Sequence, residues 1–163
     1  MTYLGSSNKF HYYLSVEQSK HIVLAADHAG FDLKEAIKAY LTEKGIDIVD
    51  IQPDLIDGDD YPEIIRKGCA AVLEYNCAGI VFGGSGNGEV MAANKVSGIR
   101  CALCYSKETA KLAREHNNAN VMSLGGRMLD EELAKDLVDI FLTTDFEGGS
   151  RHERRVNDLE SSV

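Results

Sequence analysis

The sequence predicts an α/β fold, a three-layer αβα sandwich around a five-stranded parallel sheet of the Rossmann-like or flavodoxin-like kind. From His21 onward, short apolar runs alternate with amphipathic segments, a pattern typical of βαβ units. The apolar runs are rich in Val, Ile and Leu, as strands buried on both faces are. The chain has 163 residues, the size of one domain. We therefore expect an N-terminal extension over 1–20 and a single domain over 21–163.

Each of the five apolar runs is predicted to be a strand. They are HIVLAAD (21–27), IDIVDI (46–51), AGIVFGG (78–84), IRCALC (99–104) and VMSLGG (121–126). Right-handed crossovers between these strands place helices on both faces of the sheet. Because ligands bind beyond the carboxyl ends of such strands, the residues that follow each run are the candidates for a site.

Two amphipathic helices are predicted in the first half of the chain. Residues 31–45 carry an apolar stripe and end at Gly45, a favourable C-cap residue. Residues 61–76 carry a similar stripe. Its members are Ile64, Ile65, Cys69, Val72 and Leu73.

Three more helices are predicted in the second half. The segments 106–118 and 130–142 each open with a good N-cap side chain, a serine and an aspartate respectively. A last helix is predicted from Ser150, where SRHE matches a capping box that pairs Ser150 with Glu153.

Composition narrows the classes of function. The chain is 44% hydrophobic and has no run of about 18 apolar residues, so we expect no membrane span. A formal charge of −9 opposes nucleic acid as a partner, and favours a small phosphate held by a local cluster. Cys101 and Cys104 lie in a predicted strand at an odd offset, which predicts core residues on opposite faces. Four thiols without a secretory segment suggest a cytoplasmic protein.

The stretch VFGGSGNGEV (81–90) resembles a phosphate-binding glycine loop but departs from both nucleotide motifs. Glu89 and Val90 stand where a P-loop has Lys and Ser/Thr, and Glu89 also replaces the third glycine of a dinucleotide loop. What remains is a run of backbone amides beside a carboxylate, which suits proton abstraction next to a carbonyl. Equally, Glu89 can simply open the short helix EVMAANK, where an acid favours the helix dipole. The local motif leaves both interpretations open.

Other polar residues stand at the same predicted edge or at helix ends. Asp27 and His28 follow the first strand, and Arg127 follows the fifth. His116 and Asn117 end a predicted helix. Taken singly, each has a plain structural interpretation as a helix cap or a surface residue.

The C-terminal RHERR (151–155) places several cations in the first turn of a helix, where the macrodipole disfavours them. Arg151 and Arg155 are four residues apart and share one face. Carboxylates of this acidic protein, or a phosphate ester held by arginine, would offset their charge.

Together these motifs resemble the type B ribose-5-phosphate isomerases, of the family that includes the galactose-6-phosphate isomerase subunits. The matching motifs are ADHAGFDLK (26–34), DYP (60–62), GIVFGGSGNGE (79–89), AANK (92–95), REHNNAN (114–120), GGR (125–127) and RHERR (151–155). They run from the first strand to nearly the C-terminus, and only the N-terminal extension lies outside them. The resemblance implies an αβα sandwich, a homodimer or dimer of dimers with shared active sites, and no metal or organic cofactor.

The resemblance also implies a role for each candidate residue. Glu89 is the base that moves a proton between C2 and C1 of the open-chain sugar phosphate. The enediolate oxygens are held by Ser85 and by the amides of Gly84, Gly86, Asn87 and Gly88. Ring opening is assisted by Asp27 and His116, and the sugar hydroxyls are contacted by Tyr61 and Asn117. The phosphate is bound by His28, Arg127, Arg151 and Arg155, some of them from the partner subunit.

One departure within the family bears on the base. Another branch uses a cysteine at the position of Gly83, so the resemblance leaves Glu89 as the base here. The implied reaction interconverts ribose 5-phosphate and ribulose 5-phosphate, a step of the pentose phosphate pathway. Two alternatives stay open: an isomerase of allose or galactose 6-phosphate, although galactose-type subunits lack GGSGNGE, and a sugar-phosphate-binding module without catalysis.

Overall fold

Strands and helices alternate along residues 21–161, which are the residues that the computed structural model describes. The strands are β1 (His21–Ala26), β2 (Asp47–Asp50), β3 (Ala78–Gly83), β4 (Cys101–Leu103) and β5 (Val121–Gly125). The helices are α1 (Phe31–Glu43), α2 (Tyr61–Tyr75), α3 (Asn87–Ala93), α4 (Lys107–Glu115), α5 (Glu131–Thr143) and α6 (Arg151–Ser161). The predicted N-terminal extension lies outside the described residues.

The strands form one five-stranded sheet in the order β2-β1-β3-β5-β4, and every pairing is parallel. The predicted parallel sheet with flanking helices is thereby confirmed. The flavodoxin-like order would be 2-1-3-4-5, whereas here β5 lies beside β3 and the short β4 takes the edge. This exchange sets the carboxyl ends of β1, β3 and β5 side by side, so that the loops that follow them are neighbours.

Helices cover both faces of the sheet. On one face α1, α4 and α5 pack through buried residues such as Ile37, Ala110 and Leu137. On the other face α2 and α3 pack through residues such as Ile65 and Ala93. No helix within residues 21–161 is long and apolar enough to cross a membrane.

The cysteines are core residues, as the strand spacing predicts. Cys101 packs in the cluster under α2, and Cys104 packs in the cluster on the opposite face. Burial raises the pKa of the Cys104 thiol to about 12 and that of Cys69 to about 11. Thiols with such pKa values stay protonated at neutral pH and are poor nucleophiles.

Most predicted helix ends agree with the structure. Two other predictions were wrong, the burial of Leu73 and the capping box at Ser150. Leu73, predicted to join the buried stripe of α2, is 44% exposed, because it lies one position past Val72 and is rotated away from the sheet. The capping box at Ser150 is not formed as predicted. The Ser150 hydroxyl accepts the amide of His152, and the Glu153 carboxylate reaches the amide of Gly149 at 2.7 Å instead.

Candidate active site

The loops that follow β3 and β5 are joined by backbone hydrogen bonds beyond the ends of the strands. The amide of Gly126 donates to the carbonyl of Gly83 at 2.7 Å, and the amide of Arg127 donates to that of Gly84 at 3.0 Å. The Arg127 side chain packs against the same loop, since a Cβ atom at Gly84 would be 3.4 Å from its Nη1. The residues after β5 therefore form one wall of the glycine loop.

The glycine loop turns sharply into α3 at Gly86. This residue has φ of +82°, a conformation that residues with side chains rarely adopt. Its carbonyl accepts a hydrogen bond from the Ser123 hydroxyl at 2.8 Å. Ser85 and Asn87 are exposed on the outside of the turn, where the Ser85 hydroxyl accepts from the Asn87 amide at 3.3 Å. The loop thus presents Ser85 and the first amides of α3 at the carboxyl edge of the sheet.

Glu89 turns inward from the first turn of α3. It is only 3% exposed, and its carboxyl group lies so close to Gly83 that a Cβ atom there would overlap it. Burial raises the pKa of Glu89, and the negative charge of Asp27 raises it further. A solvated acid that only favours the helix dipole would be exposed. A buried carboxyl group with a raised pKa is instead suited to general-base chemistry.

Asp27 closes the turn between β1 and α1. Its Oδ1 accepts the amides of Ala29 at 2.9 Å and Gly30 at 3.0 Å, and the residue is 7% exposed. A Cβ atom at Gly30 would overlap the backbone at Phe82, so this turn packs directly on β3. Asp27 therefore stabilises the turn before α1, and its negative charge also raises the pKa of Glu89.

His28 and Tyr61 complete this edge. The His28 ring is half-buried and lies 3.0 Å through Nδ1 from Oδ1 of Asp59. Tyr61 is the first residue of α2, and a Cβ atom at Gly88 would be 2.7 Å from its Cζ. The ring of Tyr61 therefore packs against the glycine loop.

These residues form what we call the carboxyl-edge group. Its members are Asp27, His28, Tyr61, Gly84, Ser85, Gly86, Asn87, Gly88, Glu89 and Arg127.

The other candidate residues lie at the opposite edge of the sheet. His116 is the C-cap of α4, and the residues after it lead into the amino end of β5, where the Asn120 amide donates to the carbonyl of Arg100 before β4. The His116 ring stacks on that of His152 in α6, with centroids 4.0 Å apart. The amino-edge group consists of His116, Asn117, Arg151 and Arg155.

The structure therefore does not bring all the candidates together within one chain. β5 has five residues, so at about 3.3 Å per residue the two edges are separated by roughly 15 Å. A cavity of about 510 Å³ opens beside the amino-edge group and is lined in part by Lys95, Ile99, Asn117 and Leu159.

Three residues that support the site were missed by sequence reasoning. Arg114 is 1% exposed and donates through Nη1 to Asn118 Oδ1 at 3.1 Å and to the carbonyl of Ala119, fixing the turn after His116. His152 stacks on His116, and Asp59 bonds to His28. Arg114 and His152 stand inside the motifs REHNNAN and RHERR, and Asp59 directly precedes DYP, so their positions beside candidate residues were the available signal.

One group of side chains among residues 21–161 has the composition of a metal site. Ligand atoms of His116, Glu147 and His152 lie within 4.8 Å of one another. The two imidazole planes are parallel within 4°, so their nitrogen lone pairs, which lie in the ring planes, do not converge on one point. Burial and the neighbouring His116 lower the pKa of His152. The arrangement is that of a stacked pair and gives no support for a resident metal.

Comparison with known proteins identifies the family of the chain. The sequence profile described as Ribose/Galactose Isomerase matches residues 22–159. A ribose-5-phosphate isomerase B from Mycolicibacterium paratuberculosis is 48% identical over 140 residues, which cover 85% of this chain and 88% of that protein.

Solved structures show the same fold. The ribose 5-phosphate isomerase of Thermotoga maritima superposes with a TM-score of 0.83 at 44% identity, covering 86% of this chain and 97% of that one. The ribose-5-phosphate isomerase B of Mycoplasma genitalium, solved with bound ribulose-5-phosphate, gives 0.83 at 39% identity, covering 87% and 95%. On the strength of the profile match and these identities, the chain belongs to the ribose/galactose isomerase family.

Proposed function

We propose that the protein is an aldose–ketose isomerase that interconverts ribose 5-phosphate and ribulose 5-phosphate. The observation that carries the proposal is the buried carboxyl group of Glu89, held against Gly83 at the end of β3 beside a loop of backbone amides. The substrate follows from the relatives, which are named for ribose 5-phosphate, and from the bound ribulose-5-phosphate of the Mycoplasma genitalium relative. The four buried free thiols fit a cytoplasmic location.

The reaction is a proton transfer between adjacent carbons. Glu89 takes the proton from C2 of the open-chain aldose, the C2–H electrons form a C1=C2 double bond, and the carbonyl oxygen on C1 becomes an enediolate oxygen. Return of the proton from Glu89 to C1, with transfer of the O2 proton to O1, leaves a carbonyl at C2 and a hydroxyl at C1 and gives the ketose. The raised pKa of Glu89 suits both steps, because a carboxyl group that holds a proton more readily than usual can also act as the acid that returns it.

Hydrogen-bond donors at the carboxyl edge stabilise the enediolate. The Ser85 hydroxyl and the amides of Gly84, Gly86, Asn87 and Gly88 are assigned to its oxygens. Each well-placed donor of this kind is worth about 100- to 1,000-fold in kcat. Tyr61, which packs against Gly88, is assigned to the sugar hydroxyls together with Asn117.

The remaining roles are ring opening and phosphate binding. Asp27 and His116 are assigned to opening the furanose ring. His28 and Arg127 at the carboxyl edge, with Arg151 and Arg155 of the amino-edge group, are assigned to the phosphate. All three arginines are exposed, so their guanidinium groups are accessible to a phosphate, which arginine can bind bidentately.

The separation of the two groups within one chain supports a homodimer with shared sites, or a dimer of such dimers. A site that needs both Glu89 and His116 cannot be built across roughly 15 Å of sheet. In a two-fold dimer, the amino-edge group of one copy can face the carboxyl-edge group of the other, and symmetry then makes two equal sites.

The proposal is tested with Glu89→Gln, which keeps the shape of the side chain and removes its basicity. Conversion of ribose 5-phosphate is followed by a coupled assay. Allose 6-phosphate and galactose 6-phosphate are tested as alternative substrates in separate reactions. We expect kcat on ribose 5-phosphate to fall at least ~100-fold, while sugar-phosphate binding is retained. Glu63→Gln, on the exposed side of α2, is the matched control and keeps full activity. Near-normal turnover by Glu89→Gln rejects the assigned base, and a preference for a hexose phosphate rejects the assigned substrate.

A further inference from the structure

The Asp59 carboxylate makes two hydrogen bonds to His28, a residue 31 positions away in the sequence. A single carboxylate oxygen, Oδ1, accepts the His28 amide at 2.8 Å and lies 3.0 Å from His28 Nδ1. The Asp59 side chain is 8% exposed. Its other oxygen, Oδ2, is buried and makes no hydrogen bond to any residue within 21–161. The carboxylate is therefore committed to fixing both the backbone and the ring of His28.

The bond at Nδ1 determines what the other ring nitrogen can offer. Because a carboxylate only accepts, Nδ1 of His28 must carry a proton. In the neutral ring Nε2 is then an acceptor and repels a phosphate oxygen, whereas in the cationic ring Nε2 donates to it. A fully ionised phosphate, which has no proton to donate, can therefore form a hydrogen bond with Nε2 only when this histidine is cationic.

The segment that carries Asp59 is itself anchored to α1. The fully buried Lys34 donates through Nζ to both oxygens of Asp50 at 2.9 Å and to the carbonyl of Gln52 at 2.6 Å. This fixes the start of the segment that follows β2, and α2 fixes its end directly after Asp60. Asp59 is thus held from both sides.

The charges around His28 come from three parts of the chain. Asp59 raises the pKa of His28 most, Asp27 and Asp57 raise it further, and burial opposes them. On the side of β5, Arg127 brings a positive charge to the glycine loop, since a Cβ atom at Gly84 would be 3.4 Å from its Nη1 and 3.5 Å from the Cβ of Ala29. The acidic groups prevail, and the pKa of His28 lies above its usual value of 6.5.

We propose that Asp59 is a positioning residue for substrate recognition, which turns Nε2 of His28 toward the phosphate and keeps the ring in its cationic form. The proposal rests on the assignment of His28 to the phosphate made above. It goes beyond that assignment because it explains what favours the cationic form of His28, and names the residue responsible.

The test uses Asp59→Asn, which keeps the size of the side chain and removes its charge. The titration of His28 is followed by NMR with ring-labelled histidine, and KM for ribose 5-phosphate is measured over the same pH range. We expect the midpoint of the His28 titration to move down toward 6.5, and the rise of KM with pH to move down with it. Between the two midpoints KM should increase about three- to tenfold, with kcat little changed.

Two further variants separate positioning from a general effect of charge or folding. Asp54→Asn removes the same charge from an exposed position of the same segment and should leave both midpoints unchanged. Asp59→Glu keeps the carboxylate and should restore part of the shift. Since the substrate phosphate also ionises at about pH 6, the role of Asp59 is tested by the differences between variants.

Inorganic phosphate is the probe that makes the test independent of turnover. Its dissociation constant is expected to follow the His28 titration in both proteins. An unchanged His28 midpoint in Asp59→Asn overturns the proposal, and so does a lowered midpoint that leaves phosphate affinity and KM unmoved. A uniform KM increase at every pH also overturns it, because that is the signature of a merely structural residue. An inactive wild-type protein would instead count against the substrate, and the NMR and phosphate arms would still decide the role of Asp59.

Discussion

The carboxyl group of Glu89 occupies the space in which a side chain at position 83 would lie. This contact explains why position 83 is occupied by glycine. The resemblance implies that another branch of the family has a cysteine base at that position. A thiol there and this carboxyl group would compete for one place, so each arrangement excludes the other.

Gly83→Ala tests that contact. The added methyl group must push the carboxyl group aside, and a misplacement of about 1 Å can cost ~100-fold in rate. We expect kcat to fall by about that factor, with a smaller change in KM, in steady-state kinetics with ribose 5-phosphate.

A double variant shows whether the loss acts through Glu89. Gly83→Ala combined with Glu89→Gln should be no slower than Glu89→Gln alone, because the displaced group is already inactive. Losses that multiply would mean that Gly83 serves the reaction by another route.

The raised pKa of Glu89 predicts that the ionised form, which is the active base, is also the less stable form of the protein. Because burial raises the folded pKa above the usual 4.5, the unfolded chain loses this proton first as pH rises. Ionisation of Glu89 thus lowers stability as pH rises from 4.5 through the folded pKa, and the full cost is present above that pKa.

Glu89→Gln should therefore unfold at a higher temperature than the wild type at pH 7 and lose that advantage below pH 4.5. Thermal unfolding at several pH values measures this. Glu63→Gln, whose parent carboxylate has its pKa lowered by Lys67, should show no such gain. A less stable Glu89→Gln at pH 7 would contradict the burial argument.

Residues differ in how far the sequence reveals them. Glu89 is prominent because it breaks two known glycine motifs in a local stretch of ten residues. The link between Asp59 and His28 was not predictable, because it spans 31 positions and depends on how the segment after β2 folds back over β1.

At the scale of elements, the turn from α4 into β5 depends on a buried cation. Arg114 donates to Asn118 and Ala119, and its guanidinium lies over the Phe141 ring at 5.7 Å. Burial lowers the pKa of Arg114 to about 10, which still leaves it charged near neutral pH. The turn that carries His116 is thus fixed to α5 by the Arg114 side chain. The burial of this arginine could not be recognised from the sequence.

Arg114→Met should remove these bonds while keeping most of the apolar contact. Leaving buried acceptors unsatisfied costs about 1–3 kcal/mol, which urea denaturation can measure. We also expect kcat to fall, because His116 loses its support. Arg154→Met, on an exposed position of α6, is the control and should change neither quantity. Unaltered stability in Arg114→Met would show that the turn holds without this residue.

The strands were predictable as elements because each is an apolar run bounded by polar residues. Their order was not, since alternating strands and helices do not tell on which side of β3 the next strand pairs. The sequence also could not show which amide pairs with Glu153. The residue types of a capping box are present at Ser150 and Glu153, but the carboxylate accepts a hydrogen bond from the amide of Gly149, one residue before Ser150.

At the scale of the whole molecule, the fold divides the candidate residues between two edges. The resemblance named the members of both groups, but a sequence carries no sign that Glu89 and His116 lie at opposite ends of β5. Only the sheet topology shows it. Under the proposed function, each copy offers two half-sites, and a second copy is needed to complete either of them.

The measurement that tests this claim most directly is complementation between two inactive variants. Glu89→Gln and His116→Asn are unfolded together and refolded, and activity on ribose 5-phosphate is compared with each variant alone. Random pairing makes about half of the dimers mixed, and each mixed dimer regains one of its two sites. We therefore expect about a quarter of wild-type activity. Glu89→Gln mixed with Gly83→Ala, both at the carboxyl edge, should recover nothing. Activity no higher than the average of the two separate variants would contradict a site shared between copies.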